Sequence, residues 1–400
     1  MIDRRLRGCP GWLGNLGGPV ARVNRTTRTD RTGRRVAAVA GALGLAACAT
    51  SLRDVPRDGA SVREYLGDPS RAPAALEAID SAPALVWRAN AGRGTVGALA
   101  VGERVTAVAT VDRWVYALDT RTGRAFWRYK GPSPYGAGPV MDAGHVYAAS
   151  EGLDGKLTAI RLANGKRRWE ARIGDVGGPL AVRDSTVYGA TQSGTAFAYA
   201  ASTGRRRWSR LAGASRSGPL VVGRWVALAT LTDTLVVLDA ATGTVVSRAS
   251  LPASTVAPLA RLDDSTVVMA SPSGSVLALA LPSGRVRWEV TTGAPVFGVP
   301  AVALDTVYAL TNRCTVWAIP ANAPTRPDTA AIGCVTEAGP TVVRGGVLVA
   351  TIGGEVIYYD RAADRRVWTR TVRGELRHPP AVRNGQILIA PILGPVVSFR

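Results

Sequence analysis

Alternating apolar and polar residues form short runs from Leu85 onward, and a tryptophan recurs among them about every 40 residues. The recurring positions are Trp87, Trp127, Trp169, Trp208, Trp288 and Trp368. Ser247 and Asp328 occupy the two steps at which the tryptophan is missing. This period is typical of a β-propeller with four-stranded blades, because one such blade is too small to bury its own faces and must stack on its neighbours.

The clearest copy of the repeat lies between Ala117 and Trp127. The run Trp114–Asp119 alternates and is rich in β-branched and aromatic residues, so it predicts a strand. Asp119 to Gly123 has turn chemistry, because Asp and Thr side chains bond nearby backbone and Gly adopts positive φ. We expect a second strand to end at Trp127, and this aromatic to pack between neighbouring blades rather than to form a cofactor cage.

A second marker recurs in step with the tryptophans, a proline directly before a β-rich run. Its copies are Gly138-Pro139, Gly178-Pro179, Gly218-Pro219, Ala257-Pro258, Val299-Pro300, Gly339-Pro340 and Pro379-Pro380. Proline lacks the amide donor of a central ladder, so it suits the first position of a strand. Each copy therefore predicts the start of an inner strand.

Counting the repeats gives eight blades, of which the last is incomplete. Val396–Arg400 corresponds to a third strand with no outer strand after it, whereas Leu85–Arg88 is an outer strand with no inner strands before it. We expect the N-terminal strand to complete the eighth blade and close the ring, which removes a free sheet edge. The predicted fold class is therefore all-β, an eight-bladed propeller of four-stranded antiparallel blades spanning residues 85–400.

The N-terminal residues indicate an exported protein. Arg34 and Arg35 precede an apolar stretch, Val36 to Ala47, that is too short to span a bilayer. The tetrad that ends at Cys48 resembles a bacterial lipobox, in which cleavage leaves a lipid-modified cysteine. The alternative is a plain secretory signal with an incidental cysteine. Residues 1–48 are the predicted leader, and the Arg-rich residues 1–33 are an extended signal or lie upstream of the true start.

Residues 49–84 are predicted to form a flexible tether between the leader and the propeller. Pro56, Pro69, Pro73 and Pro83 interrupt this segment, and only Ala74–Asp80 could be a short helix. Such a tether would let an anchored propeller sit away from the membrane.

The chain has a formal net charge of +20, and nearly all of its cationic residues are arginines. The clusters Arg167-Arg168, Arg205–Arg207 and Arg365-Arg366 follow predicted blade turns. A basic surface could favour anionic lipid or an acidic partner, and a merely solvated face is the alternative. Nucleic-acid binding is not expected, because it would require the chain to stay inside the cell.

Two of the four cysteines fall in the propeller. Cys314 and Cys334 lie at nearly equal distances from the expected turn of the sixth blade, so we expect them on facing strands of one hairpin, where a disulfide is geometrically reasonable. A two-cysteine metal site is not expected without a nearby cluster of His or acidic residues.

The pattern Ala-x-Asp-x-x-Thr-Gly-Arg-x-x-Trp at Ala117–Trp127 resembles the repeat of pyrroloquinoline-quinone-type (PQQ-like) propellers. Two groups share this repeat, the quinoprotein dehydrogenases and the non-enzymatic outer-membrane assembly lipoproteins of the BamB family. The resemblance to the BamB family extends from about Leu85 to Arg400, and it includes the eight blades, closure by the first strand and the lipobox. It implies an outer-membrane lipoprotein on the periplasmic side.

The resemblance to the dehydrogenases implies an adjacent cysteine pair, calcium-binding carboxylates and an Asp general base, and the chain departs from each. No two cysteines are adjacent. Asp119, Asp239 and Asp360 occupy the turn position of the repeat, so a structural role accounts for them. His145 and His378 are better explained as surface or satisfied histidines than as acid–base groups. No catalytic residue, cofactor or metal is predicted.

The resemblance to the BamB family implies a docking loop after the fourth tryptophan, with a Leu-x-Leu-Arg segment that binds the barrel-assembly protein. The loop in this chain is Ser209–Pro219, which is shorter and offers Arg210, Leu211 and Arg216 instead. The next loop carries paired aspartates in that family, whereas Ala253–Pro258 contains no acid. The architecture therefore carries over, and the docking residues differ.

These observations favour a non-enzymatic, lipid-anchored periplasmic scaffold that helps assemble and insert β-barrel proteins into the outer membrane. Its expected partner is the outer-membrane barrel-assembly machinery, bound through protein–protein contacts. The second hypothesis is a binding or sensory propeller of the envelope with a peptide or polysaccharide ligand. The third is a quinone-dependent dehydrogenase, since fold alone does not establish chemistry.

Overall fold

The structure, a computed structural model, describes residues 74–79 and 82–400. Two strands precede the first full blade: β1 (Ala74–Ala78) and β2 (Leu85–Ala89). The first two blades are β3 (Thr95–Val101), β4 (Val105–Thr110), β5 (Trp114–Asp119) and β6 (Ala125–Lys130), then β7 (Val140–Met141), β8 (His145–Ala149), β9 (Lys156–Arg161) and β10 (Arg167–Arg172). The third and fourth are β11 (Ala181–Arg183), β12 (Thr186–Ala190), β13 (Thr195–Ala200) and β14 (Arg206–Leu211), then β15 (Leu220–Val222), β16 (Trp225–Ala229), β17 (Thr234–Asp239) and β18 (Val245–Ser250).

The remaining strands continue the same order. The fifth and sixth blades are β19 (Ala260–Asp263), β20 (Thr266–Ala270), β21 (Ser275–Ala280) and β22 (Val286–Thr291), then β23 (Ala301–Ala303), β24 (Thr306–Leu310), β25 (Thr315–Pro320) and β26 (Asp328–Ala331). The seventh and eighth contain β27 (Thr341–Arg344), β28 (Gly346–Ala350), β29 (Glu355–Asp360) and β30 (Arg365–Thr371), then β31 (Ala381–Arg383), β32 (Gln386–Ile389) and β33 (Val396–Phe399). The all-β, eight-bladed fold predicted from the sequence is confirmed. Every proline marker precedes an innermost strand, either directly or with one residue in between.

Each blade is an antiparallel meander from the innermost strand to the outermost. Successive strands therefore turn at opposite sides of the ring. The side that carries the connections from first to second strand and from third to fourth strand is called the turn face. The side that carries the loops from second to third strand and from one blade to the next is called the loop face.

The apolar core lies between neighbouring blades rather than at the centre of the ring. One cluster joins Val105 and Ala107 of the first blade to Val146 and Ile160 of the second, and similar clusters join each later pair. The last cluster joins the eighth blade back to the first. Burial between blades, which contributes roughly 25 cal/mol per Å² of apolar surface, therefore holds the ring closed.

The N-terminal strand closes the ring, as the sequence predicted. β2 pairs antiparallel with β33 and becomes the outer strand of the eighth blade, with Leu85 opposite Phe399 and Ala89 opposite Val396. The side chain of Trp87 then reaches the first blade, where its indole Nε1 donates to the carbonyl oxygen of Thr120 at 3.1 Å. The closing strand is thus held by a ladder on one side and an aromatic contact on the other.

The recurrent tryptophan and the recurrent turn glycine form one contact between blades. Trp208 of the third blade donates from Nε1 to the carbonyl oxygen of Ala240 at 2.9 Å, in the turn of the fourth blade. A Cβ on Gly243, which follows in that turn at a φ of 70°, would come within 2.5 Å of the Trp208 ring. The same contact pairs Trp87 with Gly123, Trp127 with Gly165 and Trp169 with Gly204. The expectation that the tryptophans pack between blades is therefore confirmed at these four junctions.

The segment Ala74–Asp80 contains no helix in its described part, so that interpretation was wrong. Ala74–Ala78 forms β1, which adds in parallel to the inner edge of the seventh blade. Tertiary pairing overrides the local helix preference, because the open edge of β27 supplies backbone partners. Ile79, directly after β1, is buried against the seventh and eighth blades.

Candidate partner-binding surface

Arg210, Leu211 and Arg216 lie at the loop face between the third and fourth blades. Arg210 and Leu211 end the outer strand β14, and Arg216 lies in the connection to β15. All three side chains are exposed, that of Leu211 at 76%. The predicted loop Ser209–Pro219 therefore begins later than expected, since Arg210 and Leu211 still belong to β14, and all three residues are presented to solvent beside the same interblade connection.

The backbone of this loop is held from both sides. Arg248 of the fourth blade donates from Nη1 to the carbonyl oxygen of Ala212 at 2.9 Å. The buried hydroxyls of Ser215 and Ser217 donate to the carbonyl oxygen of Ala229 at 2.7 and 3.1 Å. A loop with its polar groups satisfied in this way presents its exposed side chains from a fixed backbone, which lowers the entropy cost of binding.

Arg216 is also connected to the preceding blades. Its Nε donates to Oε1 of Gln192 at 3.0 Å, and Nε2 of Gln192 donates to Oδ2 of Asp175 at 3.1 Å. Asp175 lies in the loop between the second and third blades. This chain of polar contacts orders part of the loop face, and sequence reasoning missed it because the three residues belong to three different loops.

Most of the exposed large hydrophobic side chains in the described residues lie at the loop face. They are Val111, Leu153, Leu211, Leu231, Val256, Phe297, Val335 and Leu393. At or near the turn face, the exposed large hydrophobic residues are Leu304 and, at the starts of outer strands, Leu85, Val86, Val246 and Val286. The loop face therefore carries more of these side chains than the turn face, and an exposed apolar surface of this kind is a candidate site for a partner. No sequence signal marks this group, since its members are single residues in eight separate loops.

The loop Ala253–Pro258 lies between the fourth and fifth blades on the same face. The family resemblance implied paired aspartates in this loop. Its Val256 is 44% exposed, whereas Thr255 is buried with its hydroxyl near the carbonyl oxygen of Ala257. The position is therefore apolar here. Electrostatic complementarity to a basic partner, which aspartates would provide, has no counterpart in this loop.

The arginine clusters lie near the turn face. Arg167 and Arg168, Arg205 to Arg207, and Arg365 and Arg366 are exposed at the start of outer strands. These arginine clusters make the turn face basic, whereas most of the exposed apolar side chains lie at the loop face.

The turn aspartates have structural partners. Asp119 Oδ1 accepts from the backbone N–H groups of Arg121 and Thr122 at 3.0 and 2.9 Å. Asp239 and Asp360 make the same two contacts to the residues two and three positions later. A carboxylate that caps its own turn in this way is explained without catalysis.

The two histidines lie far apart in the chain and on different faces. His145 opens β8, with its Nδ1 3.7 Å from Oδ1 of Asp142, whose Oδ2 accepts from the Tyr147 hydroxyl at 2.7 Å. His378 lies in the loop from the seventh to the eighth blade. Burial lowers the pKa of His378 to about 4, and the charge of Arg377 acts in the same direction.

Within residues 74–79 and 82–400, no three His, Cys, Asp or Glu side chains are grouped so as to hold a metal ion. The described part of the chain has no helix of the length and apolarity needed to cross a membrane. The predicted lipidation site, Cys48, lies outside the described residues.

Cys314 and Cys334 are joined by a disulfide, with their Cα atoms 5.2 Å apart. Cys314 directly precedes β25 and Cys334 follows β26, so the bond links the loop-face ends of the outer hairpin of the sixth blade. The carbonyl oxygen of Cys314 also accepts from Ile332 N–H at 2.9 Å. This blade is the one whose tryptophan position holds Asp328.

The family model of the outer membrane protein assembly factor BamB matches residues 70–237, 231–326 and 315–394. A BamB of Burkholderia pseudomallei is 31% identical over 137 residues, which are 31% of this chain and 32% of that protein. A BamB of Bordetella pertussis is 27% identical over 213 residues, 52% of this chain and 45% of that protein. The alignments thus span less than half the length of these relatives.

Solved structures with similar folds come from both groups that share the repeat. The crystal structure of BamB from Moraxella catarrhalis has a TM-score of 0.67 at 17% identity, covering 80% of this chain and 98% of that one. A quinohemoprotein alcohol dehydrogenase from Comamonas testosteroni has a TM-score of 0.66 at 14% identity, covering 88% and 83%. At such identities the likeness concerns the fold alone.

Proposed function

The chain belongs to the family of the outer membrane protein assembly factor BamB, and on this basis we propose that it is a lipid-anchored periplasmic scaffold. It assists the assembly and insertion of β-barrel proteins into the outer membrane by binding the barrel-assembly machinery. It is anchored through Cys48 on the periplasmic side of that membrane, and it performs no catalysis of its own.

The observation that carries this proposal is the loop face. Its apolar side chains, among them Leu211 and Val256, project from loops between and within blades, and the loop that follows Leu211 is hydrogen-bonded in place. Burial of one such side chain contributes about 1.5–3 kcal/mol, so a few of them suffice for the core of an interface. Arg210 and Arg216 supply a polar rim beside Leu211.

The test is capture of the barrel-assembly machinery from the cell envelope by the tagged protein. The triple variant Arg210→Ala, Leu211→Asp, Arg216→Ala should reduce capture at least tenfold, because it replaces an apolar contact with a charge that would be desolvated. Leu304→Asp is the matched control, since Leu304 is 82% exposed on the turn face against 76% for Leu211. Unchanged capture by the triple variant would exclude this loop as the docking site.

The anchor is tested separately. Cys48→Ala should release the protein from membranes, because a lipid chain is then no longer attached. Continued membrane association of this variant would contradict the anchor. Quinone-dependent alcohol oxidation by the purified protein in the presence of calcium would contradict the non-enzymatic role.

A further inference from the structure

β1 runs through the inside of the ring. It pairs in parallel with β27, with Ala74 opposite Val342 and Ala78 opposite Arg344. It also contacts β23 and β31, the innermost strands of the blades on either side. A strand bonded to one innermost strand and touching the two neighbouring ones lies along the wall of the central channel.

The direction of β1 follows from its partner. β27 begins where the interblade loop ends, at the loop face, and ends at its connection to β28, at the turn face. Because the pairing is parallel, Ala74 lies at the loop-face end of the channel and Ala78 towards the turn face. The amide of Ala84 then donates to the carbonyl oxygen of Arg400 at 2.7 Å, at the turn-face end of β33.

We propose that the chain threads the central channel, which β1 enters at Ala74 from the loop face, and that this face is turned towards the membrane. The orientation rests on the proposed anchor at Cys48, whereas the threading does not. It places the apolar side chains of the loop face next to a partner embedded in the same bilayer, and it turns the arginine clusters away from that bilayer.

The length of the tether supports this orientation. The sequence predicts an irregular segment between Cys48 and Ala74, and a chain of that length has a root-mean-square span of about 28 Å. Strands of six residues make the ring about 20 Å thick, and four strands add about 15 Å of radius. A tether leaving the loop face would have to cross that radius and that thickness to put the turn face on the membrane.

Attraction between the turn-face arginines and anionic lipid acts against this orientation. That attraction decays within about 8 Å at physiological ionic strength. The tether is a covalent link, so it restrains the orientation of the propeller even when the arginines are farther than this from the lipid. The loop face also holds the large apolar side chains, including Leu153 and Leu393 at 88% and 66% exposure. The tether and the apolar surface thus favour the same side.

Threading is tested first, with introduced cysteine pairs and a short thiol cross-linker, read by mass spectrometry. Ala74→Cys with Val342→Cys should cross-link efficiently, because these residues are opposite each other. Ala74→Cys with Arg344→Cys is the matched control and should cross-link at least fivefold less. Equal yields, or a preference for Arg344, would overturn the threading.

Hydrogen exchange on the unmodified protein gives an independent reading that does not depend on a variant folding. Those amides of residues 75–78 that bond to β27 should exchange at least 100-fold more slowly than in an unstructured peptide, because the ladder protects them. Exchange at the unstructured rate would overturn the threading even if the propeller is intact.

Orientation is tested by energy transfer in vesicles that contain acceptor-labelled headgroups. A donor dye on Leu153→Cys, at the loop face, should transfer at least twice as efficiently as one on Leu304→Cys, at the turn face. These sites are 88% and 82% exposed, so labelling is comparable. Equal or reversed transfer would overturn the orientation. Loss of membrane binding altogether would instead refute the anchor, and the cross-linking result would still stand.

Discussion

Two junctions between blades fill the position of the recurrent tryptophan differently. One lies between the third and fourth blades, and the other lies between the sixth and seventh. At the first, the Trp208 ring is 5% exposed, bonds the carbonyl oxygen of Ala240 and covers Gly243. At the second, Asp328 stands in place of the tryptophan. The guanidinium of Arg361, which comes from the following blade, pairs with Asp328 at 2.6 Å and lies 5.1 Å from the Tyr308 ring.

At these two junctions, the tryptophan and the turn glycine are either both present or both absent. Asp364 occupies the turn position of the seventh blade that corresponds to Gly243, and it keeps the same left-handed backbone with a φ of 50°. The backbone therefore does not by itself require glycine. At the third junction the close approach of Trp208 excludes a side chain at Gly243, whereas at the sixth junction, where the tryptophan is absent, the side chain of Asp364 is accommodated.

The largest difference between the two junctions should appear on truncation. Trp208→Ala should lower the free energy of unfolding by about 3–5 kcal/mol, since it leaves a large cavity between blades. Asp328→Ala, at the equivalent step, should change it by about 1 kcal/mol at most, because that side chain is 73% exposed. Denaturant titrations of both variants check this, and equal losses would mean that the junctions are equivalent.

The coupling predicts non-additivity. Gly243→Ala should cost about 2–4 kcal/mol in the wild-type background, because the new Cβ meets the Trp208 ring. In the Trp208→Ala background the same change should cost only about 1 kcal/mol, which is the strain of the positive φ. Additive losses in this double-mutant cycle would show that the glycine serves the turn alone.

The disulfide should contribute to stability because it lies in the sixth blade, one of the two that lack the tryptophan. Cys314 and Cys334 close a loop with a sequence separation of 20. Replacing both with Ser should lower the free energy of unfolding by about 3 kcal/mol. The measurement is again a denaturant titration. A loss well under 1 kcal/mol would mean that the ion pair and the apolar core stabilise this blade unaided.

Acid should lower the free energy of unfolding through His378, which lies in the loop between the seventh and eighth blades. Its pKa in the fold is about 4 against an ordinary 6.5, so below pH 6.5 the unfolded chain binds a proton that the folded protein does not. The free energy of unfolding should therefore fall as the pH drops from about 6.5 to 4, by about 3 kcal/mol at most. The His378→Gln variant should lack this part of the slope, and identical pH profiles would assign the effect to other groups.

The smallest loss of stability is expected from removing the guanidinium of Arg361, and this loss should depend on salt. Arg361→Ala should lower the free energy of unfolding by about 1 kcal/mol at low ionic strength, and by less in 1 M salt, where charge pairs are screened over about 3 Å. A Trp208→Ala loss should not depend on salt in this way. A loss at Arg361 that is independent of salt would point to the packing of its aliphatic stem on Tyr308.

The repeat made the fold predictable, because each blade restates the same pattern. Trp114–Asp119 was predicted as a strand and is β5, and the pairing of β2 with β33 followed from counting strands. The contact between tryptophan and glycine could not be read from the sequence, although both residues were visible, because they meet across a blade boundary. Arg361 gave no signal at all, since it reaches the position of the missing tryptophan from the following blade.

The candidate surface was predictable only in part. The positions of Arg210, Leu211 and Arg216 on an interblade loop followed from the resemblance, while the apolar loop face emerged only when separate loops were brought together. β1 was missed because Ala74–Ala78 has no alternation of its own. Its strand conformation depends on the edge of β27, which lies more than 260 residues later in the sequence.

The threaded strand also has a mechanical consequence. A pull on the chain at Ala74, directed out of the loop face, would act along the axis of β1 and strain its hydrogen bonds to β27 together, in shear. Only after these bonds had failed would the force reach β2, the strand that closes the ring. β1 would thus shield the ring closure from tension on the N-terminal segment.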